Sequence, residues 1–425
     1  MARADTSHAG APIMLSRRFT QSLPKETYAF LVARLFNAMG SAFIWPLTTI
    51  YVHNVLHGNY AAAGWVLFGQ SLAGGLGQFA GGAMYHRLGP MRLIVGSLLL
   101  TALAQWSLML AHSLPPYAVA IAANSFLISA TQPALNAFVG NRWKSVSARL
   151  FNTMYVMNNI GIAVGTALAG VIASISFLLT FFLNGLLTLS FAAFMWRFLR
   201  RLGPESEDAP VDAMPQVGAS AWQLFRNYQV YALLGAGTLA LNLALAAWNS
   251  GVAPYLNQTG HQPDAYSVLW TVNGLLILVG QPVTGWLKRR VTQAPTAQLV
   301  ASSVLYAAAF AGMAIAHRAY PALVAGMVVA TFGEMLNAPT VPELVTRMTG
   351  PHAAFYLGLI GAIGNVGSLL GPVVFGHLFD LAGISPILWV ATGASVAATV
   401  AFAGYARMVK EPKGFYEPGR RATHL

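Results

Sequence analysis

Long apolar runs separated by short polar breaks follow one another along nearly the whole chain. Each run holds about 20 residues, the length of helix that crosses the hydrocarbon core of a bilayer. The pattern predicts an all-α membrane protein with twelve transmembrane helices. The first run is too long for the core of a signal peptide, so no cleavable leader is expected. The predicted spans are residues 28–52, 61–85, 91–111, 116–139, 150–175, 177–196, 230–256, 266–287, 297–316, 320–346, 355–379 and 387–406.

The two halves of the chain repeat each other. NNIGIAVGTALAG at 158–170 aligns with GNVGSLLGPVVFG at 364–376, and GQFAGGAMYHR at 77–87 aligns with GQPVTGWLKRR at 280–290. Pro133 and Pro339 are separated by the same 206 positions as Asn159 and Asn365. Predicted spans two, four and five therefore recur as spans eight, ten and eleven, in the same orientation. Parallel repeats of this kind occur in transporters whose substrate site lies between the halves, near the bilayer midplane.

The repeat predicts two pseudo-symmetric six-helix bundles, at residues 27–200 and 230–407. A cytoplasmic linker at 201–229 joins them, and cytoplasmic tails occupy 1–26 and 408–425. The first part of the linker is acidic and Pro-rich, which is typical of a flexible segment. SAWQLFRNYQ, at its end, is expected to lie along the membrane interface.

Composition and charge support a membrane protein and orient it. Only 8% of the residues are charged and the mean hydropathy is +0.58, whereas a soluble domain is about a quarter charged. With the N terminus inside, only Arg318 of the 24 Lys and Arg falls outside, and only Arg34 falls well within a span. The positive-inside rule therefore predicts an N-in/C-in topology. The net charge of +12 is attributed to orientation and contact with anionic lipids, so no nucleic-acid partner is expected.

Several segments match motifs of one transporter family. RLFNAMGSAFIWPLTTIYV is similar to the opening helix of bacterial drug:proton antiporters, and TFGEMLNAPTVPEL is close to the tenth helix of lactococcal-type multidrug transporters. NIGIAVGTALAG resembles the fifth-helix antiporter motif, although Thr166 replaces its proline and only Gly371 and Pro372 keep the Gly-Pro pair. On these segments the chain resembles the major facilitator superfamily over essentially its whole length. The resemblance implies that superfamily's fold, alternating access and a bacterial inner or plasma membrane location.

GGAMYHRLGPMR resembles the loop motif of that superfamily between helices two and three. Gly82, Arg87 and Gly89 are kept, but His86 replaces the usual aspartate, and Pro90 and Met91 replace a basic pair. The charge network that the motif implies in gating therefore lacks its usual acid. Glycines at GxxxG spacing in spans five and eleven predict close helix packing, with an additional role in hinging or sealing the cavity. The residues assigned to gating and packing are Gly82, Arg87, Gly89, Gly161, Gly165, Gly170, Gly367, Gly371 and Pro372.

Glu334 is the one acidic residue of the 12 that lies in the middle of a predicted span. At 1.5 Å per residue it is about 20 Å from either end, where an ionised carboxylate costs about 2.5–3.5 kcal/mol on insertion scales. Thr331 and Asn337 share its helical stripe, so this face is expected to line a cavity. The position predicts a proton-binding site, an anchor for a cationic substrate, or both, and the resemblance implies proton coupling. The alternative is a glutamate held by a buried hydrogen bond for packing alone.

Further polar and aromatic residues inside the spans are candidates for the substrate cavity, because amides orient a ligand and aromatic rings supply apolar area. Arg34 has two interpretations: it extends to the headgroups, or it faces the cavity and pairs with a carboxylate or an anionic substrate. The alternatives for the others are interhelical hydrogen bonds and interface belts. The candidates are Arg34, Asn37, Gln132, Asn136, Asn158, Asn159, Asn242, Trp248, Asn249, Trp270, Asn273, Asn337 and Asn365.

Other chemistry finds little support in the sequence. No Gly-Lys-Ser/Thr phosphate loop, HExxH motif or G-x-S-x-G elbow is present, which argues against ATP-driven transport and against an enzyme. His53 and His57 lack a third ligand and the chain has no cysteine, so no metal site is expected. The expected energy source is the proton gradient, without a cofactor. The expected partners are a small-molecule substrate, protons and membrane lipids, and the protein is expected to be a monomer.

Three functions are compatible with these features. The first is a proton-coupled antiporter that exports amphipathic or cationic compounds, as in multidrug efflux. The second keeps the fold and moves a lipid, a glycolipid, a sugar or another metabolite, with Arg34 and the basic loops serving an anionic headgroup. The third is a sensor or scaffold, which would be accompanied by a large soluble domain or tail, whereas the tails of this sequence are short.

Overall fold

The computed structural model describes residues 23–44, 48–58, 60–202, 224, 229–260 and 264–409. Within these ranges the regular structure is helical throughout. The predicted interfacial segment, most of the linker and most of both tails lie outside the described residues. The helices are α1 Lys25–Ser41, α2 Thr48–Asn54, α3 Tyr60–Ser107, α4 Leu114–Arg142, α5 Ser147–Ile175, α6 Phe177–Leu202, α7 Gln229–Ala247, α8 Ala253–Gln258, α9 Asp264–Val279, α10 Gln281–Arg290, α11 Pro295–Ala316, α12 Tyr320–Thr349, α13 Ala353–Ala382 and α14 Ile384–Met408.

Eight stretches of the described chain are long and apolar enough to cross a membrane. A ninth is obtained if α9 and α10, which meet at 60°, form one bent span. Two of the eight, Ala62–Leu110 and Tyr320–Ala382, hold 49 and 63 residues, and each covers two of the predicted spans. α1 and α2, of 17 and 7 residues, are individually short for a span. The number of twelve spans and the N-in/C-in orientation stay predictions.

Gly89 breaks the long helix α3. Its φ of 73° and ψ of 162° are not helical, and Pro90 follows it directly. Only glycine adopts such a conformation without a steric penalty from Cβ, and a proline removes the next backbone donor. The two residues therefore separate predicted span two from predicted span three.

One end of the molecule collects the basic loops and is called the basic end below. Three basic positions meet there: Arg87 near the break in α3, Lys144 just before α5, and Arg347 near the end of α12. They meet because His86 contacts His352 and Arg347 contacts Ser147. This is the end that the positive-inside rule assigns to the cytoplasm.

The helices pack as two groups, called the first bundle (α1–α6) and the second bundle (α7–α14). In the first bundle α3 packs along α4 and α6, and α1 packs along α5. In the second bundle α13 packs along α7, and α11 packs along α12 and α14. A Cβ at Gly161 or Gly165 would overlap the backbone of α1, and a Cβ at Gly367 would overlap that of α7, while one at Gly371 would overlap the Ala246 side chain there. The repeated glycine pairs thus let equivalent helices approach within each bundle, and these contacts do not lie between the bundles.

Two seams join the bundles in the described part of the chain, and Gly140 on α4 also lies against the Thr346 side chain on α12. In the first seam, between α3 and α13, Gly82 and Gln78 lie against Gly358, and the Gln78 side chain also lies against Gly361. In the second seam, Asn152 Nδ2 on α5 donates to Gln281 Oε1 at 3.0 Å, and Arg347 Nε donates to Ser147 Oγ at 3.4 Å.

These contacts lie toward the basic end, since Ser147 begins α5 there and Gly358 lies in the second turn of α13. The molecule is therefore closed at its basic end.

We predict that Gly358→Val opens the basic end. A Cβ at this position would overlap the Gln78 carbonyl oxygen. Overpacking of this kind costs about 1–3 kcal/mol, and here it destabilises the closed conformation. Spin labels on Ser145→Cys and Val291→Cys, exposed positions on either side of the second seam, should show a longer distance in the variant.

The matched control is Gly312→Val, because a Cβ at Gly312 meets no atom within 4 Å. An unchanged distance distribution in Gly358→Val would contradict the seam as described.

Candidate functional site

The Glu334 carboxylate on α12 is bound by a neutral amide. Asn273 Nδ2 on α9 donates to Glu334 Oε2 at 3.0 Å and to Thr331 Oγ1 at 2.9 Å. Within the described ranges no lysine or arginine forms an ion pair with Glu334. An amide N–H donates both to a carboxylate and to the carbonyl oxygen of a neutral carboxyl group. Its neighbours therefore leave Glu334 able to change its charge.

Two tyrosines complete the surroundings of Glu334. Tyr306 lies beside the carboxylate from α11, and Tyr155 lies beside it from α5 of the first bundle. The Tyr155 hydroxyl is buried and makes no hydrogen bond of ordinary geometry, although it is close enough to interact with the carboxylate. Sequence reasoning assigned no role to either tyrosine. Glu334 is thus a residue of the second bundle that faces a polar group of the first.

A line of side chains leads from the end opposite the basic end to Glu334. Tyr266, Trp270 and Asn273 follow one another at i, i+4 and i+7 on one face of α9. The Tyr266 hydroxyl donates to Asn249 Oδ1 at 2.7 Å, and the Tyr266 and Trp270 rings meet edge to face at 6.3 Å. Trp270 is 40% exposed, whereas Asn273 is buried. The predicted cavity residues Asn249, Trp270 and Asn273 are therefore brought together on one approach to the carboxylate.

Arg34 lies in the first bundle between two amide oxygens. Its Nη2 donates to Gln132 Oε1 at 2.9 Å, and its Nη1 is 3.4 Å from Asn37 Oδ1. No Asp or Glu of the described chain forms an ion pair with it. Three predicted cavity residues thus form one cluster, and the guanidinium is held by dipoles instead of a counter-ion.

One of the remaining cavity candidates lies in the core, and three others lie within one turn of site residues already described. Trp248 is 2% exposed in a π-helical turn and packs on Phe310 at 6.1 Å, so it presents no surface to a ligand and belongs to the second-bundle core. Asn337 lies one turn from Glu334, and its Oδ1 is buried without a hydrogen-bond partner. Asn136 and Asn158 lie within one turn of Gln132 and Tyr155 on their own helices.

The loop motif lies beside the first seam. His86 stands where the aspartate of the resembling motif would be, and its ring centroid is 5.2 Å from that of His352 in the second bundle. Arg87 is exposed, and Gly170 and Pro372 lie within α5 and α13. Within the described ranges no group of three His, Asp or Glu side chains is placed to hold a metal ion.

The arrangement combines an aromatic and amide-bearing face of α9, a carboxylate without an ionic partner among the described residues, and a closed seam beyond it. Such a carboxylate binds either a proton or a cationic group, but not both at once. Aromatic and amide side chains along the approach supply apolar contact and orientation for a small amphipathic molecule.

Comparison with known proteins gives one consistent family. The family model of the Major Facilitator Superfamily matches residues 30–296 and 238–424. The uncharacterized MFS-type transporter YttB of Bacillus subtilis is 31% identical over 369 residues, which cover 86% of this chain and 91% of that protein. The quinolone resistance protein NorA of Staphylococcus aureus is 21% identical, over 75% of this chain and 81% of its own length.

Solved structures share the fold. The crystal structure of the human organic anion transporter MFSD10 has a TM-score of 0.70 at 15% identity and covers 89% of this chain and 100% of its own. The Escherichia coli fucose:proton symporter FucP has a TM-score of 0.70 at 14% identity and covers 89% of this chain and 98% of its own. At these identities the likeness shows the fold alone.

We predict that Gln132→Leu destabilises the first bundle. The change removes the 2.9 Å acceptor of Arg34, and hydrogen bonds to charged groups contribute about 1.5–3 kcal/mol. The melting temperature of the purified protein in detergent should fall.

The double variant Arg34→Met with Gln132→Leu should recover part of the loss, because the buried charge that has lost its 2.9 Å acceptor is then removed as well. Losses that simply add in the double variant would contradict a direct interaction between the two side chains.

Proposed function

Because the chain belongs to the Major Facilitator Superfamily, we propose that this transporter is a proton-coupled antiporter that exports amphipathic, cationic small molecules. As a member it is a secondary transporter of the bacterial plasma membrane that spans it several times, and not an enzyme. The proposal adds the direction, the coupling ion and the substrate class. NorA, a quinolone resistance protein, supports the drug-export part of it.

Glu334 is the observation that carries the proposal. It is a carboxylate on an apolar helix with no ionic partner among the described residues, at the inner end of an aromatic and amide-lined approach. Intramembrane acids are costly and as a rule functional. A cationic group or a proton supplies the missing positive charge, and each displaces the other.

This competition gives antiport. With the basic end open, a cationic substrate binds the ionised carboxylate, and the transporter turns to the other side. There a proton from outside neutralises Glu334, the substrate leaves, and the protonated transporter returns. The cycle requires that proton and substrate bind the two conformations with different affinity. The proton gradient supplies the energy, without a cofactor, and a monomer in contact with membrane lipids suffices.

A second candidate rests on Arg34. A guanidinium held by Gln132 and Asn37 without a carboxylate is also suited to an anionic group on the substrate, such as a lipid headgroup or an organic acid. In that case transport would depend on Arg34 and would not require a cation on the substrate.

The test is ethidium export from proteoliposomes under an imposed pH gradient. We expect wild type to export the dye and Glu334→Gln to lose gradient-driven export by at least about tenfold, since the amide cannot exchange a proton. The control is Asp380→Asn, which neutralises an exposed carboxylate on α13 and should leave export unchanged.

Export that is indifferent to both the pH gradient and the membrane potential would overturn proton coupling. If wild type moves a headgroup-labelled anionic lipid or an organic acid and not the dye, the second candidate replaces the first.

A further inference from the structure

One side of α5 faces the second bundle along the second seam. Ser147 accepts from Arg347 at the basic end, and Asn152 donates to Gln281 further along the helix. Tyr155 follows Asn152 by three residues, on the same side of the helix. Tyr155 is therefore the next side chain along the seam, and it lies beside the Glu334 carboxylate.

The Tyr155 hydroxyl is otherwise unpaired. It is buried, and no hydrogen bond of ordinary geometry satisfies it. A buried hydroxyl without a partner is unfavourable, so an acceptor that comes within hydrogen-bond distance in one state of the protein would stabilise that state. The carboxylate of Glu334 is the acceptor within its surroundings.

We propose that Tyr155 senses the charge of Glu334 across the second seam: its hydroxyl donates to the ionised carboxylate and holds the basic end closed, and protonation of Glu334 releases it. This inference rests on the proposed proton coupling at Glu334. It assigns to a residue of the other bundle the task of converting a charge change into bundle movement.

The chemistry sets the direction of the effect. A hydrogen bond to an ionised acceptor is about twice as strong as one between neutral groups. Closure of the seam and ionisation of Glu334 therefore stabilise each other, and by reciprocity protonation favours opening at the basic end. That is the step the antiport cycle needs once a proton has entered from outside.

The internal repeat shows that only one seam carries this device. At the offset that pairs Asn159 with Asn365, Asn152 corresponds to Gly358 and Tyr155 to Gly361. Glu334 corresponds at the same offset to Ile128. The first seam therefore has glycine and isoleucine where the second has tyrosine and glutamate. Both seams close by contact of a repeated glutamine, Gln78 or Gln281, but only the second pairs a tyrosine hydroxyl with a carboxylate within the spans.

The groups that face Glu334 make this assignment specific. α9 presents the neutral Asn273, α11 presents Tyr306 and α5 presents Tyr155. On α12 the nearest charges toward the basic end are Glu343 and Arg347, which pair with each other at 3.0 Å. Tyr306 belongs to the same bundle as Glu334, so its interaction with the carboxylate does not join the two bundles.

The test combines the conservative variant Tyr155→Phe with the labelled pair at Ser145 and Val291, in a chain that contains no other cysteine. In wild type we expect the short label distance to dominate at pH 8 and a longer one to grow in as the pH falls. In Tyr155→Phe the long distance should already be populated at pH 8. Gradient-driven ethidium export should reach half its maximum at an external proton concentration about tenfold lower, which corresponds to about 1.4 kcal/mol.

Two controls separate this role from a structural one. Tyr117→Phe removes another buried hydroxyl of the first bundle, at the end of α4 away from the basic end, and should behave as wild type. Tyr306→Phe should leave the label distance at pH 8 unchanged. Glu334→Gln should remove the pH dependence of the distance.

The outcomes distinguish the two proposals. If Tyr155→Phe shows the same distances and the same proton dependence as wild type while Glu334→Gln abolishes coupling, the Tyr155 inference is overturned and the antiporter stands. If wild type shows no proton-driven export, the proposed function fails. In that case, a label distance that depends on pH in wild type but not in Tyr155→Phe or Glu334→Gln would still support the contact between Tyr155 and Glu334.

Discussion

The free-energy cost of placing a charge within an apolar helix is the constraint on which the rest of this structure depends. Most of the charged groups in the described chain lie near helix ends, where water or headgroups solvate them. Glu334 and Arg34 do not, and the protein treats them differently. Arg34 is held by two amide oxygens of its own bundle, an environment that suits a permanent charge. Glu334 receives one amide donor and a neighbouring tyrosine hydroxyl, an environment that suits either charge state. The surroundings of Arg34 therefore suit one charge state, whereas those of Glu334 suit two.

Small residues explain how two bundles can come together and part. Within each bundle the repeated glycine pairs bring α5 against α1 and α13 against α7, and backbone contact of this kind is rigid. Between the bundles the first seam also relies on glycine, at Gly82 and Gly358. The second relies on separate polar pairs, with Gly140 of α4 packed against Thr346 of α12 beside it. A seam made of a few hydrogen bonds can be released by changing one of its acceptors. A rigid pair of bundles then turns that local change into movement of the whole.

Much of this was visible in the sequence, and the exceptions have physical causes. Run length and hydropathy located the helices, the GxxxG spacing located the tight helix pairs, and the lone midspan acid located Glu334. Trp248, a predicted cavity residue, packs on Phe310, because a midspan aromatic looks the same in sequence whether it faces a cavity or the core. Tyr155 and Gln281 were missed because their partners are more than 100 residues away, which no local pattern encodes. The repeated Gly-Gln motif at Gln78 and Gln281 was the available signal, since a polar residue repeated within two apolar spans needs a partner in both.

The depth of Glu334 decides what its charge can do. A carboxylate nearer the end opposite the basic end, beside Trp270, would have no seam to influence. One nearer the basic end, like Glu343, is buried against Arg347 and lies beyond the approach, so it can stabilise closure but cannot exchange a proton with the cavity. Glu334 lies where the approach ends and the seam begins, with Asn273 on one side and Tyr155 on the other. In the proposed cycle, only a carboxylate at that level would contact both the substrate and the Tyr155 hydroxyl across the seam, which is the geometric condition for coupling transport to closure.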